Sequence, residues 1–528
     1  MSEFCRKFRS VGLIAGLCVG AISPSLTDAG EVRLTSADGT LRLKGDLIDF
    51  VDDSYIIQTA IGEMRVAANW VRCEGIDCPQ FTTVSADVKI AGSDMIGLGL
   101  MPLLMSGYAN ALQAEVTVNN TQTSGEFLAN FIAEDGFGDE LGSILVTSSA
   151  SEDPFDSLLD GSAEIVMASR RIAPSKAQEL SNAGLGNMTS PQQEHVVAVD
   201  SLVVIVNPSN PLGSASIEDL QRIYSGQVTN WSELGGADLP IMVVEHPNTS
   251  DIFDVFKSRI FSGSEPFIIP SAVVVADHNA VAAVVNENPG AIGYVGYAFQ
   301  RRAKALNFIN ECGVETAPDA FSVKTEEYDL QQRLYLYNAS SLNEKSSDFL
   351  AFTQSEDSDQ VVAKAGFVDL GIKVLAQGKE SPRAKALVRQ SGDAVETLVA
   401  RAMLAEMEEY DRLSTTFRFR TGSTSLDERG LLDMQRLTRF LETKAEGTRV
   451  NVVGFTDDVG SFDSNLALSM GRADQALREL QSYAGDRLNH IEISTSGFGE
   501  LSPAACNTAD SGRAINRRVE VWIEKASG

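Results

Sequence analysis

From about Val84 to Leu370, short apolar runs of strand length alternate with runs of helical spacing, and this alternation constrains the fold more than any other feature of the chain. The runs at 88–92, 114–119, 163–170, 201–207, 239–245 and 290–298 read as strands. Residues 95–108 read as a helix, and so does the stretch from Thr123 to Glu134. Behind a Ser216 cap, Ile217, Leu220, Ile223 and Tyr224 recur at helical spacing. Strands alternating with helices imply an α/β fold whose sheets are covered on both faces, with ligands at the carboxyl ends of the strands.

Different textures flank this region. Residues 30–80 alternate with period two and turn at Asp38-Gly39 and at Gly62, which predicts a small all-β module of about four or five strands. Residues 377–413 read as a helical linker or as the last helix of the preceding domain. Residues 414–528 read as a compact α+β unit: a strand near Phe417–Phe419, helices over 427–444 and 464–482, and strands at 450–455, 491–497 and 517–523. A length of 528 residues accommodates such a multidomain plan at roughly 100–200 residues per domain.

The opening segment carries Arg6, Lys7 and Arg9, then an apolar stretch from Gly12 to Ile22, then small residues around Ala29. That order predicts a cleavable signal peptide over 1–29, because the stretch is too short to span about 30 Å of hydrocarbon. The chain holds 43 basic and 72 acidic side chains, a net charge of −29. So acidic a surface repels phosphate backbones and anionic lipid, which argues against nucleic acid as a partner. Cys5 and Cys18 fall within the signal. Cys73 and Cys78 are spaced for a small disulfide loop in an oxidising compartment, whereas Cys312 and Cys506 are left open between a bond and buried thiols. The histidines at 195, 246, 278 and 490 are scattered, with no metal-ligand cluster, cofactor motif or Gly-x-Ser-x-Gly elbow. No catalytic residue, metal or cofactor is therefore assigned, and the chain does not read as an enzyme.

Four ordered motifs mark the C-terminal unit: GFTDDVG at 454–460, NLALSMGRADQAL at 465–477, GFGELSP at 497–503 and GRAINRRVEVWI at 512–523. Together they resemble the OmpA-like peptidoglycan-binding domain. The resemblance implies a groove for the diaminopimelate side chain of the wall peptide, which ends in an ammonium and a carboxylate. Asp457 matches the family's acid and would take the ammonium, while Arg472 matches its arginine and would fork onto the carboxylate. The alternative is an internal Asp457–Arg472 salt bridge that fastens loop to helix. Phe455 stands where the family carries histidine, a change expected to act on groove shape. Arg517 and Arg518 are expected to brace the last strand against neighbouring carboxylates.

Residues 84–376 resemble the periplasmic phosphate-type substrate-binding proteins, carried by IYSGQVTNW at 223–231, GAIGY at 290–294, MASRRI at 167–172 and AGFVDL at 365–370. The resemblance implies two α/β lobes closing on a small anion. Ser93, Asp94, Ser124, Gly125, Ser169, Arg170, Thr249 and Ser250 are the implied ligand residues, with hydroxyls, backbone N–H groups and helix dipoles converging on a tetrahedral anion. The chain departs from the pattern at Glu245 and His246, where a second arginine is expected, and at Asp94, where a hydroxyl is usual. Two carboxylates near the cleft disfavour a dianion.

The resulting expectation is a periplasmic solute-binding protein of a Gram-negative bacterium, associated with peptidoglycan or the outer membrane. It would capture phosphate or another small polar anion and serve an ABC transporter permease or another envelope protein. The alternative is an envelope adaptor whose cleft has lost its ligand.

Overall fold

The computed structural model describes residues 31–36, 41–51, 54–60, 62–67, 71–75, 78, 85–121, 123, 125–134, 138–149, 153–248, 250–261, 268–389, 392–418 and 430–526. The segment read as a signal, and the expected ligand residues Ser124 and Thr249, lie outside these. The chain divides into two compact units, one running to Thr82 and taking in 122–124, the other holding the rest.

In the first unit β1 (Glu31–Ser36), β2 (Arg42–Val51), β3 (Ser54–Thr59), β4 (Gly62–Ala67) and β5 (Val71–Glu74) form an antiparallel sheet in the order β4-β3-β2-β1-β5. Period-two alternation puts Val32, Leu34, Tyr55, Ile57, Val66 and Val71 into one small core. Cys73 and Cys78 form a disulfide with an S–S length of 1.99 Å.

The second unit opens with β6 (Val88–Ser93), α1 (Asp94–Gly99), α2 (Met101–Ala111), β7 (Ala114–Asn120), β8 (Glu126–Ala133), β9 (Glu140–Ser149) and β10 (Ile165–Ala168). The stretch read as a second helix, 123–134, is therefore strand β8. Its burial alternates along Phe127, Ala129 and Phe131, and it lies antiparallel between β7 and β9. The apolar residues of EFLANFIA fit either period, and cross-strand pairing decides for two.

The 13-residue strand β11 (Glu194–Val206) is buried along nearly its whole length. Lobe 2 follows with β12 (Met242–Glu245), α3 (Asp251–Ile260), α4 (His278–Glu287) and β13 (Ala291–Gly296), and the chain returns to lobe 1 through β14 (Gln331–Asn338). The first half of β11 pairs with β14, and its second half, Leu202–Val206, pairs with β13. One sheet thus runs β12-β13-β11-β14-β10-β6-β9-β8-β7, with β11 and β14 crossing between the lobes.

The stretch read as a linker holds α5 (Pro382–Arg389) and α6 (Ala394–Glu409), and β15 (Tyr410–Arg418) begins at once behind it, earlier than the strand expected near Phe417. After α7 (Gly430–Glu442) come β16 (Arg449–Gly454), α8 (Phe462–Ala484), β17 (Glu492–Gly497) and β18 (Arg518–Glu524). The sheet order is β15-β18-β16-β17, with the short strand Val374–Leu375 outside β15. On β18, Val519, Val521 and Ile523 face α7 and α8, while Trp522 meets Ala384 and Leu387 of α5 and Met403 and Met407 of α6. The helices at 382–409 are thus the second covering layer of this domain. Met403 and Met407, four apart, make an apolar stripe that a linker would leave wet. Cys312, in the turn after a lobe 2 strand, is bonded to Cys506 of the C-terminal domain.

Phe131 is 1% exposed and edge-on to Tyr108 at 5.3 Å. Phe131→Ala is expected to cost about 3–5 kcal/mol in urea denaturation, and Asn130→Ala on the opposite face under about 1 kcal/mol. Equal costs at the two positions would contradict the period-two packing of β8.

Candidate functional site

The C-terminal site is made by a close approach of helix to sheet. A Cβ on Gly454 would overlap the Ser469 carbonyl oxygen, and one on Gly497 would meet Met470 N at 2.5 Å, so two glycines at neighbouring strand ends let α8 settle onto them. Ser469 Oγ accepts from Gly499 N at 2.9 Å and pins the helix to the following loop. Arg472, one turn on, then lies under the loop after β16, where its Nη1 donates to Phe455 O at 3.4 Å. Asp457, in that loop, is paired with Arg517 Nη1 through Oδ2 at 2.7 Å. Burial lowers the Arg472 pKa, with the Asp457 charge offsetting part of the effect and the Arg517 charge adding to it.

Arg517, immediately before β18, thus braces that end of the strand against the carboxylate of Asp457, and in doing so joins the charged cluster of the candidate site, a place the sequence reading did not give it. Arg518 braces the strand against Glu520, with Nε 2.8 Å from Oε1. Phe455 is fully buried, its ring lying under the guanidinium groups of Arg383 at 5.1 Å and Arg518 at 4.3 Å. It is a core residue. Substituting an aromatic ring for histidine suits this position because the ring face attracts both cations.

The lobe 1 site forms where strands end in register. Ser93 of β6 pairs with Ser149 of β9, Gly92 pairs with both Ser148 and Met167, and Ser169 and Arg170 follow directly after β10. Gly125 O accepts from Ser148 N at 2.8 Å, which brings the start of β8 to the same end of the sheet. Gly125 has φ +77°, and a Cβ there would press on Ser148 O at 2.8 Å. Ser93 is buried, Asp94 and Ser169 are half-buried and Arg170 is exposed. The structure thus gathers Ser93, Asp94, Gly125, Ser169 and Arg170, and adds Ser148, which the sequence reading missed. Ser93 stands at the start of a helix, as expected, but Gly125 does not. Gly125 opens a strand, and the helix behind Ser93 has 6 residues.

Lobe 2 differs from expectation more sharply. Glu245 and His246 end β12 but turn inward, at 4% and 2% exposure. Tyr294 OH donates to Glu245 Oε1, and His246 Nε2 lies 3.0 Å from Tyr294 O. The expected carboxylate pressure of Glu245 on a ligand is accordingly weaker: burial pushes its pKa up to about 7. Burial also pushes His246 down to about 4 and His278, stacked on Phe299 at 4.6 Å, down to about 3, so both rings are neutral at neutral pH. Ser250 caps α3: its Oγ accepts from Phe253 N at 3.4 Å and donates to Pro247 O at 2.8 Å.

Asp200, on the crossing strand β11, was not singled out by the sequence reading. It is fully buried, and its Oδ1 accepts from Tyr297 N at 2.8 Å, just beyond the end of β13. A Cβ on Gly296 would come 2.8 Å from its Oδ2, which explains the glycine there. Burial pushes Asp200 up to about 7. The one signal for it in the sequence is an acid interrupting the apolar run 196–206.

Residues 106–357 match the PBP superfamily domain, and residues 418–517 match the OmpA family. The phosphate-binding protein PstS of Bacillus subtilis is 29% identical over 192 residues, 36% of this chain and 62% of that protein, so less than two thirds of its length is spanned. The probable lipoprotein YiaD of Escherichia coli is 42% identical over 76 residues, 14% of this chain and 33% of that protein. Among solved structures, an ABC-type phosphate transport receptor from Vibrio cholerae aligns over 53% of this chain and 99% of its own, at 24% identity and a TM-score of 0.40. The chain thus carries a PBP-like domain followed by an OmpA-like domain, and its relatives are binding proteins and OmpA-type domains, not enzymes.

Because the folded-state pKa of Asp200 is raised from 3.8 to about 7, its contribution is fully present below about pH 4 and is lost as pH rises through about 7. Asp200→Asn can still accept from Tyr297 N and carries no such penalty. Its stability relative to wild type is expected to grow across this window by on the order of 4 kcal/mol, read by urea denaturation at pH 4.5 and pH 8. A difference that does not change with pH would refute the assignment.

Proposed function

We propose that this chain, in which a PBP-like domain precedes an OmpA-like domain, is a wall-tethered solute-binding protein of a Gram-negative periplasm. The observation that carries the proposal is the cluster of Asp457, Arg472 and Arg517 in the C-terminal domain. One acid and two guanidinium groups meet at a loop that α8 and β18 hold from opposite sides. A diaminopimelate side chain presents an ammonium to Asp457 and a carboxylate to Arg472, and Arg517 holds the acid in position before the ligand arrives. Peptidoglycan is the partner on this reading, and the protein is associated with the wall or with the outer membrane.

The lobe 1 end of the cleft takes a small polar anion, phosphate being the first candidate. Hydroxyls of Ser93 and Ser169 and the guanidinium of Arg170 supply the donors on this reading. Glu245 is turned into lobe 2 and repels the anion less than an exposed carboxylate would, but it also supplies no cation. Delivery to an ABC transporter permease follows if the cleft releases its ligand. Lobe 2 favours a second reading, an envelope adaptor that contacts a protein through an empty cleft, because Ser250 is spent on a helix cap and the β12 end faces inward.

Calorimetry of the full chain with phosphate, sulfate and a panel of polar solutes separates the two readings. Arg170→Ala is expected to weaken anion binding at least about tenfold, the loss of one charge-assisted hydrogen bond. No heat with any solute would favour the adaptor. Asp457→Ala and Arg472→Ala are each expected to abolish co-sedimentation with peptidoglycan while the domain stays folded, since truncating one member of a desolvated charged pair costs about 2–5 kcal/mol. If the Asp457–Arg517 pair is only a fastener, Asp457→Ala lowers the melting temperature and wall binding survives.

A further inference from the structure

We infer that the OmpA-like domain is a brace across the hinge of the two-lobed domain, holding lobe 1 and lobe 2 at once. Opening of the cleft and movement of the wall-binding domain are then a single coupled motion. The chain leaves lobe 1 at Val368, whose backbone exchanges hydrogen bonds with Val199 of crossing strand β11 at 2.8 and 3.0 Å. Within a few residues it is in the C-terminal sheet, where Val374 and Leu375 pair with Leu413 and Arg412 of β15. This attaches the domain to lobe 1 by a short stretch of chain with no slack.

The same strand β15 reaches the other side of the hinge. Arg412 Nη2 lies 2.7 Å from Glu327 Oε1, and Arg418 Nη2 donates to Thr325 O at 2.7 Å, both in the turn that ends lobe 2. Glu326 in that turn is shared between Arg418, at 3.4 Å, and Arg333 of crossing strand β14, at 2.8 Å. Lys324 closes the circle with Asp369, just beyond the lobe 1 exit, at 2.8 Å. A cavity of about 50 Å³ beneath β15 is lined by Val199 and Arg333 of the crossing strands on one wall and by Ser414, Thr415 and Thr416 on the other. The disulfide between Cys312 and Cys506 adds a covalent attachment to lobe 2.

Hinge rotation about β11 and β14 would therefore pull at one end against a short backbone connection and at the other against a disulfide and ion pairs. Arg412 and Glu327 are 4% and 17% exposed, so separating them leaves charges that water reaches poorly. Whatever biases the cleft must bias the seating of the wall-binding domain by the same free energy, and the reverse holds equally.

The test requires neither the cleft's ligand nor the wall. Spin labels are introduced through non-cysteine chemistry at Ser347 of lobe 1 and Ala283 of lobe 2, both exposed. Pulsed electron resonance then reads the distribution of lobe separations in the full chain. The expected result is a narrow distribution in wild type that widens at least about twofold in the Cys312→Ser/Cys506→Ser variant, and also in Glu327→Gln with the disulfide intact. If a variant does not fold, phosphine reduction of the folded wild-type chain takes its place and is expected to widen the distribution likewise. An unchanged distribution after loss of the disulfide and after loss of the Glu327 charge would overturn the brace.

Discussion

A carboxylate without access to water organises the C-terminal half of the molecule. Glu520 is fully buried on β18, and burial alone would drive it to the neutral form; Arg383, Arg412 and Arg518 together hold it well below the usual carboxylate range. The three arginines come from α5, β15 and β18, so neutralising one side chain ties the covering helices to the sheet. Trp522 Nε1 donates to the same carboxylate at 2.8 Å and fixes the ring against which α6 packs. Arg412 also reaches Glu327 outside the domain, and in this way the buried charge extends to the two-lobed domain. Such a cluster adds little net stability compared with a well-packed apolar core, but losing any single member strands the others in low dielectric. The arrangement tolerates no partial loss.

The loop that carries Asp457 depends on this framework without being part of it. Arg517 and Arg518 are neighbours in the chain, yet one serves Asp457 and the other Glu520. Two adjacent guanidinium groups thus connect the site to the core that holds it, and Gly454 and Gly497 set how closely α8 can approach. The cleft has a comparable dependence on one buried acid. Asp200 lies on the strand that crosses between the lobes and accepts from the backbone just past the end of β13, so the geometry of lobe 2 is anchored at the hinge.

Much of this was legible before any coordinates. Period-two alternation identified the β module, the strand–helix alternation identified an α/β domain whose two lobes were implied by the family resemblance, and the ordered motifs around Asp457 and Arg472 located the C-terminal domain. These features are local: a few residues at a fixed spacing bury a face or make a turn, wherever the rest of the chain goes. The run EFLANFIA was misread because its apolar residues suit a helix or a strand, and only the neighbours β7 and β9 select between them. The helices at 382–409 were left between a linker and the preceding domain for a related reason, since the surface that covers Met403 and Met407 is Trp522, more than a hundred residues on.

What the sequence determined by itself was the set of elements, the order of the domains and the residue types available at each strand end. The direction of each charged side chain was decided by the tertiary structure alone. Glu245 and His246 stand where a ligand cation was expected, and the packing of Tyr294 turned both into the lobe interior. Arg517 was expected to brace the last strand against a neighbouring carboxylate, and the approach of the β16 loop decided that the carboxylate is Asp457. Spacing specifies which face of a strand a residue occupies, but Arg517 precedes its strand and His246 follows its own, and what meets Glu245 on its face is decided by the fold. Their side chains go to the nearest group that compensates their burial, and that group is brought there by a distant part of the chain.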